Sequence, residues 1–217
     1  MVKIGEKVPD LKVSEWVGTP TKISEQKGKA VLVAVFQVNC PLAVAHLIPG
    51  AIVAYNKFSR NNLTVLGLAT SFEDFDKNTP KNLRRLIEKG ETIGDTYSYM
   101  STHDMLSNGL FKQKIEFPVA IDSVIKPIEL TNKMIIDAIN SCGLRENYTE
   151  SDIANDKQIF DAVKSLLQDK GYPESFYGIG FQGTPSYMLL DKQGFLRYKE
   201  FSSGEDIDEK IKELLKE

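Results

Sequence analysis

The chain has 217 residues, with 27 Lys and Arg against 30 Asp and Glu, for a formal net charge of −3. Hydrophobic residues make up 41% and charged residues 26%, beside 15 Gly and 9 Pro; these are the proportions of an ordinary globular chain and exclude intrinsic disorder and a collagen-like repeat. The slight acidity and the lack of any long Lys/Arg run leave no electrostatic footprint for nucleic acid or for an anionic membrane surface.

From the N-terminus, Met-Val-Lys-Ile-Gly-Glu-Lys has none of the regions of a secretory signal. A cytoplasmic protein is therefore expected, although a chain trimmed of its signal would read the same. Lys3–Ser24 mixes Pro9, Gly18 and Pro20 with short alternating apolar positions and reads as an irregular, β-rich opening. Ala30–Phe36 is a continuous apolar run rich in β-branched residues, as a strand buried on both faces requires. It is the most apolar stretch of the chain, yet it falls far short of the roughly 18 residues needed to cross a bilayer. Cys40-Pro41 follows, and Leu42–Tyr55 suits a helix with Pro41 as an early helical residue and Pro49 as an internal kink.

Leu63–Ala69 reads as a second buried strand. Thr79 is placed to cap a helix that starts at Pro80 and stops at Gly90, with Leu83, Leu86 and Ile87 on one face. Phe117–Asp122 is a short third strand, and Ser186–Asp191 and Phe195–Phe201 form a hairpin around Lys192-Gln-Gly194. Ile207, Ile211, Leu214 and Leu215 mark an amphipathic C-terminal helix. An α/β fold, with a central sheet flanked by helices, accounts for this order. Between Asp122 and Gly183 lies a segment that a minimal fold would not need. In it Ile159, Phe160, Val163, Leu166 and Leu167 keep helical spacing up to Gly171, and Leu130–Ile139 is a weaker helix. The expectation is one domain over residues 1–217 with a helical insertion at about 123–182.

The two cysteines, Cys40 and Cys142, allow one internal disulfide at most, and a chain of this size can fold without one. A cysteine at the start of a helix lies where unpaired N–H groups and the positive end of the macrodipole favour a thiolate. Cys40 is thereby the candidate nucleophile. Ala30–Pro49, read as strand, Cys40-Pro41-Leu42-Ala43 and kinked helix, resembles the active-site segment of the thioredoxin-fold redoxin and alkyl hydroperoxide reductase/thiol-specific antioxidant superfamily. Its TlpA-like thiol-disulfide oxidoreductase branch is the best match. Gly183-Thr184-Pro185 resembles that family's cis-proline loop, and Phe72-Glu-Asp-Phe75 and Phe117–Asp122 fall where its members have similar stretches. The resemblance implies a thioredoxin-like fold, Cys40 as the catalytic residue and Pro41, Thr184 and Pro185 along the substrate groove. It also implies a protein or low-molecular-weight thiol or disulfide as partner, with no cofactor.

Two departures qualify the match. The family's second redox cysteine falls on Ala43, and the buried acid that thioredoxins place six residues before the first cysteine falls on Ala34. A mixed disulfide on Cys40 then has no neighbouring thiol to resolve it. Natural divergence to a monothiol protein and a replaced resolving cysteine are both compatible with Ala43. A one-cysteine peroxidase is an alternative, but the Pro and Thr/Ser that resembling peroxidases place before their cysteine fall on Val33 and Gln37. A third reading is a non-catalytic binding module that keeps the groove.

The other chemical residues carry less. His46 is six residues beyond Cys40, off its helix face, and two His with two scattered Cys do not make a metal site. Cys142 ends an insertion helix and reads as an incidental thiol. Arg84, Arg85, Arg145 and Arg197 fit helix and hairpin surfaces, and Tyr97, Tyr99, Glu73 and Asp74 read as solvated loop residues. Gly178-Ile-Gly180 lacks the strand–turn–helix context of a dinucleotide loop.

Overall fold

The structure, a computed structural model, describes residues 1–60, 62–126, 130–145 and 147–217. Residues 127–129 and 146, within the expected insertion, lie outside the described residues, as does residue 61. Along the chain, β1 is Val13–Val17 and β2 is Ala30–Phe36; a π-helical turn at Ala43–Leu47 leads into α1, Ile48–Phe58. Then come β3, Leu63–Ala69; α2, Pro80–Lys89; α3, Gly94–Thr102; the small hairpin β4, Leu106–Ser107, and β5, Leu110–Phe111; and β6, Val119–Asp122. The insertion holds β7, Val124–Ile125; α4, Asn132–Ser141; α5, Lys157–Lys170; β8, Tyr172–Pro173; and α6, Glu174–Ile179. The chain closes with β9, Ser186–Leu190; β10, Leu196–Glu200; and α7, Ile207–Lys216.

Six strands make one mixed sheet in the order β1-β6-β3-β2-β9-β10. β2 runs parallel to β3 from Ala30 opposite Leu63 to Phe36 opposite Ala69, β6 continues parallel to β3, and β9 lies antiparallel to β2 with Val35 opposite Ser186. Every residue of β2 is buried. Its alternation sorts them by face. Leu32, Ala34 and Phe36 share a core with Leu47, Ile48 and Ala51 of the π-turn and α1, and with Ile211 and Leu214 of α7. Val31, Val33 and Val35 face the other way, into a core with Ile135, Ile139, Phe160, Phe176 and Tyr177 of the insertion.

The inserted segment is therefore a structural layer rather than an ornament. Together with Val8 and Ile23 of the N-terminal segment, its helices share the core of Val31, Val33, Val35, Leu66 and Leu68, and burial of each such side chain is worth about 1.5–3 kcal/mol. Pairing of β7 with β8, Val124 opposite Pro173 and Ile125 opposite Tyr172, closes its base. Asp122 ties it to β6: the carboxylate accepts from the Ser175 and Phe176 N–H groups at 2.9 and 3.0 Å and from the Thr70 hydroxyl at 2.9 Å.

Local chemistry sets the element ends. The Thr79 hydroxyl accepts from Asn82 N–H at 3.2 Å at the start of α2, and Gly90 ends that helix at φ +70°. The expected kink at Pro49 takes the form of the π-turn. The Ile48 N–H reaches back to the Ala43 carbonyl, and widening the helix by one residue just ahead of Pro49 eases the ring's clash with the preceding turn.

Candidate functional site

β2 delivers the chain at Phe36 to the turn Gln37-Val38-Asn39, and Cys40 follows it. The Cys40 N–H donates to the Gln37 carbonyl at 3.1 Å, and the Cys40 carbonyl accepts from Val44 N–H at 3.1 Å. Helical structure begins at Pro41. Cys40 thus caps the helix with its thiol half-exposed. The pairing of β2 with β9 brings the loop before Ser186 to the same end of the sheet. There the Thr184–Pro185 peptide is cis, and the Cys40 Sγ–H donates to the Thr184 carbonyl at 3.3 Å. Cys40, Pro41, Thr184 and Pro185, up to 145 positions apart in sequence, share one small surface.

Two buried amides that carry no sequence motif hold this surface together. Gln37 accepts from the Thr184 hydroxyl at 3.1 Å through Oε1 and donates from Nε2 to the Glu73 carbonyl at 3.1 Å. Asn39 donates from Nδ2 to Asp74 at 2.7 Å and to Asp95 at 3.0 Å, and its Oδ1 accepts from Asp95 N–H at 2.9 Å. The Asn39 N–H in turn donates to Asn78 Oδ1 at 2.8 Å. Gly94 is required beside it: at φ +49°, a Cβ there would lie 2.2 Å from Asn39 Oδ1. Glu73 and Asp74 are exposed loop residues, as expected, yet the Glu73 carbonyl and the Asp74 carboxylate anchor the two amides, with Asp74 at φ +44°. Partial burial and the charge of Asp74 push the Glu73 carboxyl up.

Ala43 and Ala34 are both fully buried in the core beneath α1. Three residues after Cys40 the helix therefore presents a buried methyl group. Leu42 is 47% exposed on the first helical turn, and Phe201, 61% exposed, lies over Gly183. Leu42 follows Cys40-Pro41 directly, and Phe201 adjoins the residue that precedes Thr184-Pro185.

Cys142 caps the C-terminus of α4 as a free cysteine, with Sγ 3.7 Å from the Tyr177 hydroxyl. Local burial of the thiol pushes its pKa up, against the hydrogen bond to Tyr177. Tyr97 and Tyr99 lie on α3 instead of in a loop; Tyr99 Oη is 3.3 Å from His46 Nε2 and its ring stacks on His103. The sequence carries no helix signal here because the apolar side chains form no clear stripe. Arg84, Arg85, Arg145 and Arg197 pair with Glu15, Glu91, Asp156 and Glu217. Gly180, at φ +85°, caps α6. Among the described residues, no group of three or more His, Cys, Asp and Glu could hold a metal ion, and no helix is long and apolar enough to cross a membrane.

This arrangement of sheet, helix-capping cysteine and proline loop is a thioredoxin-like fold. Solved structures share it over nearly the full length. A thioredoxin-like superfamily protein superposes with a TM-score of 0.59 at 23% identity, covering 97% of both chains. A thiol-disulfide isomerase from Corynebacterium glutamicum gives 0.57 at 24% identity, covering 98% of this chain and 97% of its own. A thioredoxin-like protein in its oxidised form gives 0.53 at 15% identity, covering 99% and 98%. By sequence, no family model and no curated protein matches.

Proposed function

We propose that this protein is a thiol-disulfide oxidoreductase that acts through Cys40 alone, as one domain with its insertion. The Cys40 thiolate attacks one sulfur of a substrate disulfide, forming a mixed disulfide and expelling the other sulfur as a thiolate. With Ala43 in the second position, release requires an external thiol: its thiolate attacks the mixed disulfide, frees Cys40 and leaves with the bound half of the substrate as a new disulfide. Pro41, Thr184 and Pro185 form the groove in which the substrate sulfur lies. The observation that carries this reading is the 3.3 Å contact of a helix-capping thiol with the carbonyl preceding a cis proline. The fold shared with a thiol-disulfide isomerase supports it. Peroxidase chemistry has less support, because both ends of the Gln37 amide are engaged by Thr184 and Glu73.

The test is to expose the protein, Cys40→Ser and Cys142→Ser to a peptide disulfide and read the adducts by mass spectrometry. The unmodified protein and Cys142→Ser take up one half-disulfide each and Cys40→Ser takes up none. An adduct on Cys40→Ser, or hydrogen peroxide consumption that depends on Cys40 with no adduct formed, overturns the proposal.

A further inference from the structure

One buried residue, through its backbone carbonyl and its side-chain amide together, bonds all three segments that meet at Cys40. Gln37 is 1% exposed. Its backbone carbonyl receives the Cys40 N–H at 3.1 Å, its Oε1 receives the Thr184 hydroxyl at 3.1 Å, and its Nε2 donates to the Glu73 carbonyl at 3.1 Å. Thr184 closes the ring by accepting the Cys40 thiol on its carbonyl. The amide has one workable orientation. Turned over, it would set Oε1 against the Glu73 carbonyl, two acceptors facing each other. A buried amide that loses its partners costs more than an exposed one, so Gln37 fixes where the Thr184–Pro185 loop stands relative to the sulfur.

We propose that Gln37 is a positioning residue that sets this loop over Cys40 and thereby makes the site selective for polypeptide disulfides over small ones. The inference rests on Cys40 being the exchanging thiol. Attack on a disulfide needs the three sulfurs close to one line, and productive geometry is sensitive to displacements of about 1 Å. A small disulfide reaches that line by turning freely at the half-exposed thiol. A polypeptide disulfide brings backbone and side chains that must lie between the Thr184 loop, with Phe201 behind it, and the exposed Leu42. A displaced loop therefore obstructs the polypeptide far more than the small molecule.

The experiment measures mixed-disulfide formation on Cys40 with insulin and with hydroxyethyl disulfide, and takes the ratio of the two rates. Thr184→Val removes the hydroxyl with little change of shape, Thr184→Ser keeps it, and Gln37→Leu removes both amide contacts. The ratio is expected to fall about tenfold in Thr184→Val and in Gln37→Leu, the effect of one buried hydrogen bond. Thr184→Ser restores it, and the double variant Gln37→Leu/Thr184→Val is no worse than Gln37→Leu. Equal losses on both substrates, an unchanged ratio in Thr184→Val, or additive effects in the double variant overturn the inference. If Gln37→Leu does not fold, the Thr184→Val and Thr184→Ser pair decides alone. Failure of the unmodified protein to form either adduct refutes the reading of Cys40 instead, and so the two failures are distinguishable.

Discussion

Replacing Gly94 by alanine tests whether the Asn39 clamp holds the Cys40 turn in place. The new methyl would sit 2.2 Å from Asn39 Oδ1, far inside any real contact, so the amide must leave. It then gives up the Asp95 N–H, and the two bonds from its Nδ2 to Asp74 and Asp95 are disturbed with it. Holding alanine at φ +49° costs about 1–2 kcal/mol, and leaving a buried polar group unpaired costs about 1–3 kcal/mol. Against these, alanine stabilises by about 0.4–1 kcal/mol through a less flexible unfolded chain. A net loss of about 2–3 kcal/mol is expected, which lowers Tm by roughly 4–12 °C in a chain of this length. Urea unfolding measures it directly, and Cys40 alkylation should lose its uniform rate as the turn loosens. The coupling to Asn39 is the sharper test. In Asn39→Ala the clash partner is gone, so adding Gly94→Ala should cost only the backbone share less the same unfolded-chain gain, about 0–1.6 kcal/mol. A loss below about 0.5 kcal/mol in the single variant, or full additivity with Asn39→Ala, would refute the reasoning.

Ala43→Cys should convert a protein that accumulates mixed disulfides into one that releases reduced insulin and is itself left with an internal disulfide, which added dithiothreitol reduces to complete the turnover, because a thiol three residues on in the first helical turn can reach Cys40. The extra atom enters a fully buried position and should cost about 1–3 kcal/mol in urea unfolding. Efficient insulin reduction by the unmodified protein that survives Cys142→Ser, without added glutathione, would show that Ala43 is not the missing resolving position. In limited alkylation followed by mass spectrometry, Cys40 should label before Cys142, an exposed residue whose thiol is pushed towards its neutral form by desolvation of the sulfur beside Tyr177; the reverse order would make Cys142 the reactive thiol. Burial pushes the Asp122 carboxyl up to about 6 from an ordinary 3.8, although its bonds from Ser175, Thr70 and Phe176 oppose the rise. The folded protein thus keeps a proton that the unfolded chain has released. This group's contribution to stability is complete below about pH 4, falls by about 3 kcal/mol as pH rises to about 6, and is constant above. Asp122→Asn should flatten that part of the urea-unfolding profile, and an unchanged slope would place the titration elsewhere.

The elements legible in the sequence are those whose signal is local. The run Ala30–Phe36 fixes a strand buried on both faces, Thr79 and Gly90 fix the ends of a helix, and Cys40-Pro41 after a strand fixes a thiol at a helix start. Each rests on side-chain period or on a cap within a few residues. The tertiary structure alone decided which faces those elements meet. That the insertion packs into the core of Val31, Val33 and Val35 alongside Val8 and Ile23 is one such case, since apolar spacing shows that a helix has a buried face but not which surface covers it. Likewise, α3 carries no apolar stripe, and Tyr99 is held by contact with His46. The parts of the site invisible in the sequence are Gln37 and Asn39. Their hydrogen bonds reach partners 35 to 147 residues away, and an amide buried by such contacts looks, residue by residue, like any polar residue in a turn.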